Sequence, residues 1–187
     1  MNGDSTGSGT NRRLATLGGG CFWCLEAVLE QLQGVVSVAS GYSGGHVADP
    51  SYRDVCTGAT GHAEVVQIEF DPAVISFDEV LDVFFAMHDP TTLNRQGADV
   101  GTQYRSVIFW HDNEQRQAAE RKIATLNAAQ IWDRLIVTQV AAFESLFRAE
   151  EYHQGYFRSN LDQPYCQAVV APKVAKLRQK FAAKLRK

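Results

Sequence analysis

The sequence predicts one α/β domain, with helices packed on a single mixed sheet and long loops between the elements. Three observations predict it. Apolar spacing alternates between period two and helical period in the order strand, helix, strand, strand, helix, strand, helix, strand. No internal repeat and no linker interrupts residues 12–187. At 187 residues, 45% hydrophobic and 21% charged, the chain has the size and composition of one soluble globular unit.

The first residues, "MNGDSTGSGTNRR", are rich in Gly, Ser and Thr and lack the apolar core of a secretory signal, so residues 1–11 read as a flexible tail and the protein as cytoplasmic. "RRLATLGG" (12–19) is a short strand that breaks at glycines. From Cys21, the spacing of Leu25, Val28, Leu29 and Leu32 is helical, with a stop at Gly34. "VVSVASGY" (35–42) alternates as a strand, and 43–61 is a long polar loop rich in turn residues. "HAEVVQIEF" (62–70) is a strand ended by Asp71-Pro72. Ser76 and Glu79 form a capping box for a helix carrying Phe77, Val80, Leu81, Phe84 and Phe85. A second loop, 88–103, leads into the strand "YRSVIFW" (104–110), and Asp112 caps a helix that runs to about Asn127. "RLIVTQVAAF" (134–143) is the last predicted strand. The remainder starts helical, loops around Pro164 and closes with a basic helix opened by Pro172, with Val174, Leu177, Phe181 and Leu185 on one stripe. The cations of that helix, Lys173 among them, read as a solvated face over the stripe.

A net charge of −3 gives no strong pull toward nucleic acid or an anionic membrane, and no apolar run approaches the roughly 20 residues that span a bilayer. Four cysteines stand at 21, 24, 56 and 166. A chain this long holds its fold without disulfides, so they are expected to be catalytic, metal-binding or buried.

The chemistry concentrates in "GGGCFWCLEA" (18–27). If a helix begins near Cys21, its free N–H groups and the positive end of its dipole point at the sulfur and favour thiolate over thiol. The glycines allow a tight turn and leave the sulfur accessible, and Phe22 and Trp23 supply an apolar wall. The plainer alternative is a buried cysteine followed by two core aromatics. Cys24 opens two further readings. Cys21 and Cys24 form a C-x-x-C pair suited to a thioredoxin-like dithiol, or half of a zinc site completed by Cys56 and His62. The five residues between Cys56 and His62 include glycines better suited to a loop than to a zinc knuckle.

The blocks "GGCFWCLE", "VVSVASGYSGG", "PSYRDVCTGATGHAEVVQIEFDP", "HDPTTLNRQGADVGTQYRSVIF" and "AEEYHQGYF" resemble the signatures of the A-class peptide methionine sulfoxide reductases, in the same order from about Leu17 to Phe157. The resemblance implies a two-layer sandwich of ferredoxin-like plan with long active-site loops. It implies reduction of the S-epimer of methionine sulfoxide, free or in oxidised proteins, in repair of oxidative damage. Electrons would come from thioredoxin, with no metal and no bound cofactor, in a monomer.

By the same resemblance Cys21 is the nucleophile that becomes a sulfenic acid. Glu64 is the carboxyl that serves the oxygen, and burial beside aromatics would let it hold a proton near neutrality. Tyr52 and Tyr104 hold the sulfoxide oxygen by their hydroxyls, Asp99 is a further polar pocket residue, and Phe22 and Trp23 hold the S-methyl group. Taken singly, Glu64 would read as a solvated strand residue, the tyrosines as half-core, and His62 and His153 as local hydrogen-bonding groups. Family members place a resolving cysteine in a mobile C-terminal segment, and Cys166 within 158–187 fits that position. Many members carry glycine where this chain has Cys24, which makes Cys24 the alternative resolver, although helical geometry opposes a disulfide with Cys21. Only one cysteine follows residue 56, unlike members with two late cysteines, and Cys56 is expected to be buried and structural.

Overall fold

The computed structural model describes residues 11–187, so residues 1–10 of the predicted tail lie outside the described residues. In chain order the elements are β1 (Arg13–Gly18), α1 (Phe22–Leu29), β2 (Val35–Ser43), α2 (Tyr52–Cys56), β3 (Ala63–Phe70), α3 (Phe77–Met87), a small hairpin of β4 (Arg95–Gln96) and β5 (Asp99–Val100), β6 (Val107–Trp110), α4 (Asn113–Ala128), β7 (Gln139–Ala142), β8 (Phe147–Arg148), α5 (Tyr156–Ser159) and α6 (Ala171–Lys180). The main sheet runs β7-β6-β1-β3-β2-β8. β3 pairs antiparallel with both β1 and β2, β6 antiparallel with β1, and β7 parallel to β6. The inner four strands, taken with α1 and α3, are the ferredoxin-like order expected, extended by one strand at each edge.

One large core fills the space between the sheet and the helices, from Leu17, Phe22 and Leu25 through Ile68, Phe70, Leu81 and Phe84 to Leu177. A smaller apolar cluster of Ala63, Val65, Val107 and Phe109 forms separately, packed by Ala141, Phe143 and Leu146. The capping box at Ser76 and Glu79 forms as predicted, with the Ser76 hydroxyl accepting from the Glu79 N–H and the Glu79 carboxylate accepting from the Ser76 N–H. No helix among the described residues is long and apolar enough to cross a membrane.

Several elements differ from their predicted form, among them the strand predicted at 104–110, which forms only over Val107–Trp110, and the loop 88–103, which holds the β4/β5 hairpin. Inside the polar loop 43–61 lies α2, started by a second capping box between Ser51 and Asp54; the turn-rich composition around it masked a helix of one and a half turns. Cys56 ends that helix exposed, not buried, because so short a helix has no second turn to cover it. The strand predicted at 134–143 pairs only over Gln139–Ala142, since its partner β6 begins at Val107. The preceding N–H groups go elsewhere, Ile136 to Asn127 Oδ1 and Val137 to the Pro90 carbonyl. The segment expected to start helical after Phe143 instead forms the edge strand β8, a 3-10 turn over Glu151–His153 and the short α5. α6 itself ends at Lys180, so Phe181 and Leu185 pack from beyond its C-terminus.

Candidate active site

The glycine run before Cys21 is needed for two separate reasons. A Cβ on Gly18 would stand 2.8 Å from Val107 Cγ1 and 2.9 Å from the Glu64 carbonyl, so only glycine lets β1 pass between its neighbours here. Gly20 has φ +93, and a Cβ there would also meet the Gln96 side chain at 2.6 Å. The turn so formed delivers Cys21 to the N-cap of α1 with φ −58 and ψ 127, outside the helical region. Cys24 is the third residue of that helix, and its N–H reaches the Cys21 carbonyl at 3.1 Å. Side chains at N-cap and N3 face each other, as every capping box shows. The objection that helical geometry separates Cys21 from Cys24 therefore fails: Cys21 is not inside the helix, and the two thiols hydrogen-bond to each other.

That pair shares one proton. The hydrogen bond from Cys21, ahead of the opposing cost of burial, brings Cys24 down to about 7, with help from the Lys173 ammonium and the Tyr165 hydroxyl. Burial, then the bond to Cys24, pushes the Cys21 thiol well up, against the thiolate expected from its place at the helix end, so the second proton stays on Cys21. The pair therefore gives up its first proton as pH passes through about 7.

Glu64, near the start of β3, is 1% exposed. Its Oε2 accepts the N–H of Phe22 at 3.0 Å, the first free donor of α1. That bond and the helix end favour carboxylate, but burial wins and lifts the group to about 8. At pH 7 Glu64 is therefore mostly a carboxylic acid, with one oxygen occupied by Phe22 and an O–H left to donate. A solvated strand residue would behave otherwise; here both sides of β3 are covered over Ala63–Val66.

The other predicted residues gather around this centre. The Phe22 ring is fully buried and lies 6.5 Å from that of Tyr52, nearly parallel, and 5.8 Å from that of Tyr42. Tyr52 opens α2, where its N–H donates to Glu150 Oε1 at 2.7 Å, and its hydroxyl hydrogen-bonds with the Cys56 sulfur. Tyr104 ends a 3-10 turn over Thr102–Tyr104. Burial first, and then the Cys56 sulfur for Tyr52 and the charge of Glu64 for Tyr104, push both phenols above their ordinary value, so they stay hydrogen-bond donors. Asp99 on β5 accepts the Tyr165 hydroxyl at 2.7 Å. A cleft of about 170 Å³ opens beside Cys21, lined by Gln96, Asp99, Tyr165, Val169 and Lys173 among others. A larger hollow of about 430 Å³ between α3 and α6 holds neither a cysteine nor a glutamate.

Trp23 is less free than a bare wall. Its ring stacks on Tyr156 at 3.7 Å and 7°, and its indole N–H donates to His153 Nδ1 at 3.1 Å. Glu26, buried one turn further along α1, accepts the N–H groups of Gly155 and Tyr156 at 2.8 and 3.3 Å and so pins the segment that carries Tyr156. Tyr156, Tyr165 and Glu150 were not singled out from the sequence. Tyr156 and Glu150 lie in the "AEEYHQGYF" block and Tyr165 beside Cys166, so their neighbours marked them, but their partners are more than 60 residues away.

Cys166 is corrected in one respect. It is fully buried in a π-helical turn, Cys166–Val170, that runs straight into α6, and is no loose arm. Val170, Val174 and Leu177 anchor this stretch in the core, so the polar residues before Pro164 do not set its behaviour. Burial, then the charge of Cys24, raises its thiol. Cys24 is therefore the sulfur that Cys166 faces electrostatically, and Cys24 in turn touches Cys21. Of the four zinc candidates, His62 has both ring nitrogens occupied, by the Gly45 N–H at 2.9 Å and the Val47 carbonyl at 2.7 Å. No group of three or more His, Cys, Asp or Glu side chains is placed to hold a metal among the described residues.

Residues 13–185 match the family model "Peptide methionine sulfoxide reductase". The peptide methionine sulfoxide reductase MsrA of Polynucleobacter asymbioticus is 58% identical over 167 residues, 89% of this chain and 88% of that protein. Among solved structures, reduced Mxr1 from Saccharomyces cerevisiae is 36% identical and superposes with a TM-score of 0.74, covering 83% of this chain and 89% of that one. Mxr1 in complex with Trx2 is also similar, at 26% identity and a TM-score of 0.52 over 78% of this chain and 84% of that chain.

Proposed function

The chain belongs to the peptide methionine sulfoxide reductase family, and from that premise we propose how its own residues reduce methionine sulfoxide to methionine. The observation that carries the proposal is a buried carboxyl, Glu64, bonded to the first N–H of the helix that Cys21 caps, with Cys24 as the third residue of that helix.

The shared proton moves onto Cys24, leaving Cys21 as thiolate at the helix N-terminus. Its sulfur attacks the sulfoxide sulfur while Glu64 gives its proton to the oxygen and Tyr52 and Tyr104 donate hydrogen bonds to it. The S–S bond so formed then breaks as the OH passes from the substrate sulfur to the Cys21 sulfur, the substrate S–O bond giving way to that of a sulfenic acid, and methionine leaves. Phe22 and Trp23 form the apolar side of the pocket, which accepts the S-methyl group and selects the S-epimer. Cys24, its proton released to the medium, then attacks Cys21: a disulfide forms, the sulfenic S–O bond breaks, and the oxygen leaves as hydroxide that takes up a proton to become water. This exchanges the order of the two resolvers. Cys24 acts first because it is in contact, and Cys166 is next in line. A thioredoxin dithiol reopens the disulfide, a reading supported by the complex of Mxr1 with Trx2. Free methionine sulfoxide and oxidised proteins are both substrates, and the enzyme works as a cytoplasmic monomer, where dithiol reductants are kept reduced.

A single turnover with the S-epimer and no reductant, followed by peptide mapping of the thiols, tests this. One methionine per enzyme and a Cys21–Cys24 disulfide are expected. A Cys21–Cys166 disulfide would restore the C-terminal cysteine as direct resolver, and no methionine would end the proposal.

The two phenols supply a smaller, separable share. Tyr52→Phe and Tyr104→Phe are each expected to slow methionine formation roughly tenfold, the effect of about 1.4 kcal/mol in one lost hydrogen bond to developing charge. The double variant should lose roughly a hundredfold if the hydroxyls act on the same oxygen independently. Rapid-quench measurement of the first turnover reads this step without the later ones.

A further inference from the structure

We propose that Lys173 is a positioning residue for the resolving step, its ammonium holding Cys24 as the thiolate that attacks the Cys21 sulfenic acid. The inference rests on the reading of Cys24 as resolver. Lys173 was expected on the solvated face of the basic helix. Instead it sits half-buried in the first turn of α6 and lines the cleft beside Cys21 with Asp99 and Tyr165. Its neighbours on the chain are engaged, Lys176 with the Ala86 carbonyl, Arg178 with Gln31 and Lys184 with Glu79. Lys173 makes no hydrogen bond or ion pair among the described residues. A half-buried cation left without a partner is costly unless a negative charge forms nearby.

The groups that face Cys24 show which charge that is. They are Cys21 on its own helix, Glu64 on β3, Asp99 on β5, Tyr165 and Cys166 from the stretch leading into α6, and Lys173. Asp99, and Glu64 or Cys166 when ionised, oppose a thiolate at this position. The Tyr165 hydroxyl donates to Asp99. The Cys21 thiol holds the Cys24 thiolate in the resting enzyme, but that S–H is gone once Cys21 carries oxygen. At the moment of resolution Lys173 is the positive charge left to act on Cys24, and its influence already reaches that sulfur and, in the other direction, buried His88.

The step it serves is balanced within the protein. Cys24 gives its proton to the medium, the S–S bond forms as the sulfenic S–O bond breaks, and the departing hydroxide regains a proton as water. Cys24 is oxidised and the sulfenic sulfur is reduced, with no other reagent.

The test follows disulfide formation after a single turnover across roughly pH 5 to 10 by acid quench, alkylation and mass analysis, in wild type, Lys173→Met and Lys173→Arg. Removing one charge at this range should move the midpoint up by about one pH unit and slow disulfide formation roughly three- to tenfold at neutral pH, and arginine should restore both. A Lys173→Met midpoint equal to that of wild type overturns the inference, even if the rate falls, because a merely structural loss leaves the profile in place. If Lys173→Met does not fold, Lys173→Gln takes its place. Independently, the pH midpoint for alkylation of Cys24 in Cys21→Ala, which lacks the neighbouring thiol, should lie below the ordinary thiol value of about 8.5. A midpoint above it also overturns the inference. Failure of the underlying reading is seen elsewhere, in a wild-type peptide map without the Cys21–Cys24 disulfide.

Discussion

Cys21→Ser is expected to abolish methionine formation, with a loss beyond about 10⁴-fold, because no other group at the site can take the sulfoxide oxygen. Serine is close to cysteine in size and is among the preferred N-cap residues, so α1 should keep its start and the protein its stability. What changes is the nucleophile: an alkoxide is inaccessible where a shared thiol proton is lost near neutrality. The result is read as methionine released per enzyme in one turnover, beside a thermal melt to show the fold intact. Cys24→Ser provides the contrast. It should still release about one methionine per enzyme in the first turnover, more slowly for want of a partner for the shared proton, and then stall as a sulfenic acid that a dimedone-type probe traps. Methionine formed by Cys21→Ser at a rate near wild type would remove Cys21 from the mechanism.

Glu64→Gln should slow the first turnover by roughly 10² to 10⁴, the range expected for a lost general acid. Glutamine can still accept the Phe22 N–H through its carbonyl oxygen, so the helix end is kept while the transferable proton is removed. The pH profile identifies the cause. Wild-type methionine formation should fall as pH rises through about 8, where Glu64 loses its proton, and Glu64→Gln should lack that falling limb. Stability moves in the same window with a definite sign. The group is raised on folding, so the unfolded chain ionises first and the native state loses stability as pH climbs from the ordinary carboxyl range to about 8. Above that range Glu64→Gln should melt higher than wild type. A variant that loses activity but keeps the alkaline limb would assign the proton to another residue.

The two predictions concern a cysteine and a glutamate that were visible at very different levels. The C-x-x-C run, the alternating strands, the capping box at Ser76 and the glycine turn before Cys21 are local patterns, and local patterns are what a chain states directly. The order of elements led to helices on one mixed sheet, and the family resemblance added the ferredoxin-like plan that the inner four strands follow. The family resemblance rested on blocks quoted in order, and the match over residues 13–185 agrees with it.

Other features needed partners distant along the chain. Glu64 looks like any polar strand residue until α1 and the loops close over both sides of β3; only then does burial turn a carboxylate into an acid. The Ser51–Asp54 capping box starts a helix inside a stretch whose turn residues read as loop. Cys166 followed a polar stretch that suggested a mobile arm, whereas Val170, Val174 and Leu177 tie it into the core. Cys24 seemed too far around a helix to meet Cys21 until the backbone showed Cys21 just outside that helix. By itself the sequence determined most of the element order and, through the blocks that carry the family resemblance, the reaction class, since these depend on spacing and residue type. The tertiary structure decided the burial of Glu64, the place of Cys21 at the cap of the helix that carries Cys24 and the place of Lys173 in the cleft, because burial and charge act through space between residues the chain keeps far apart.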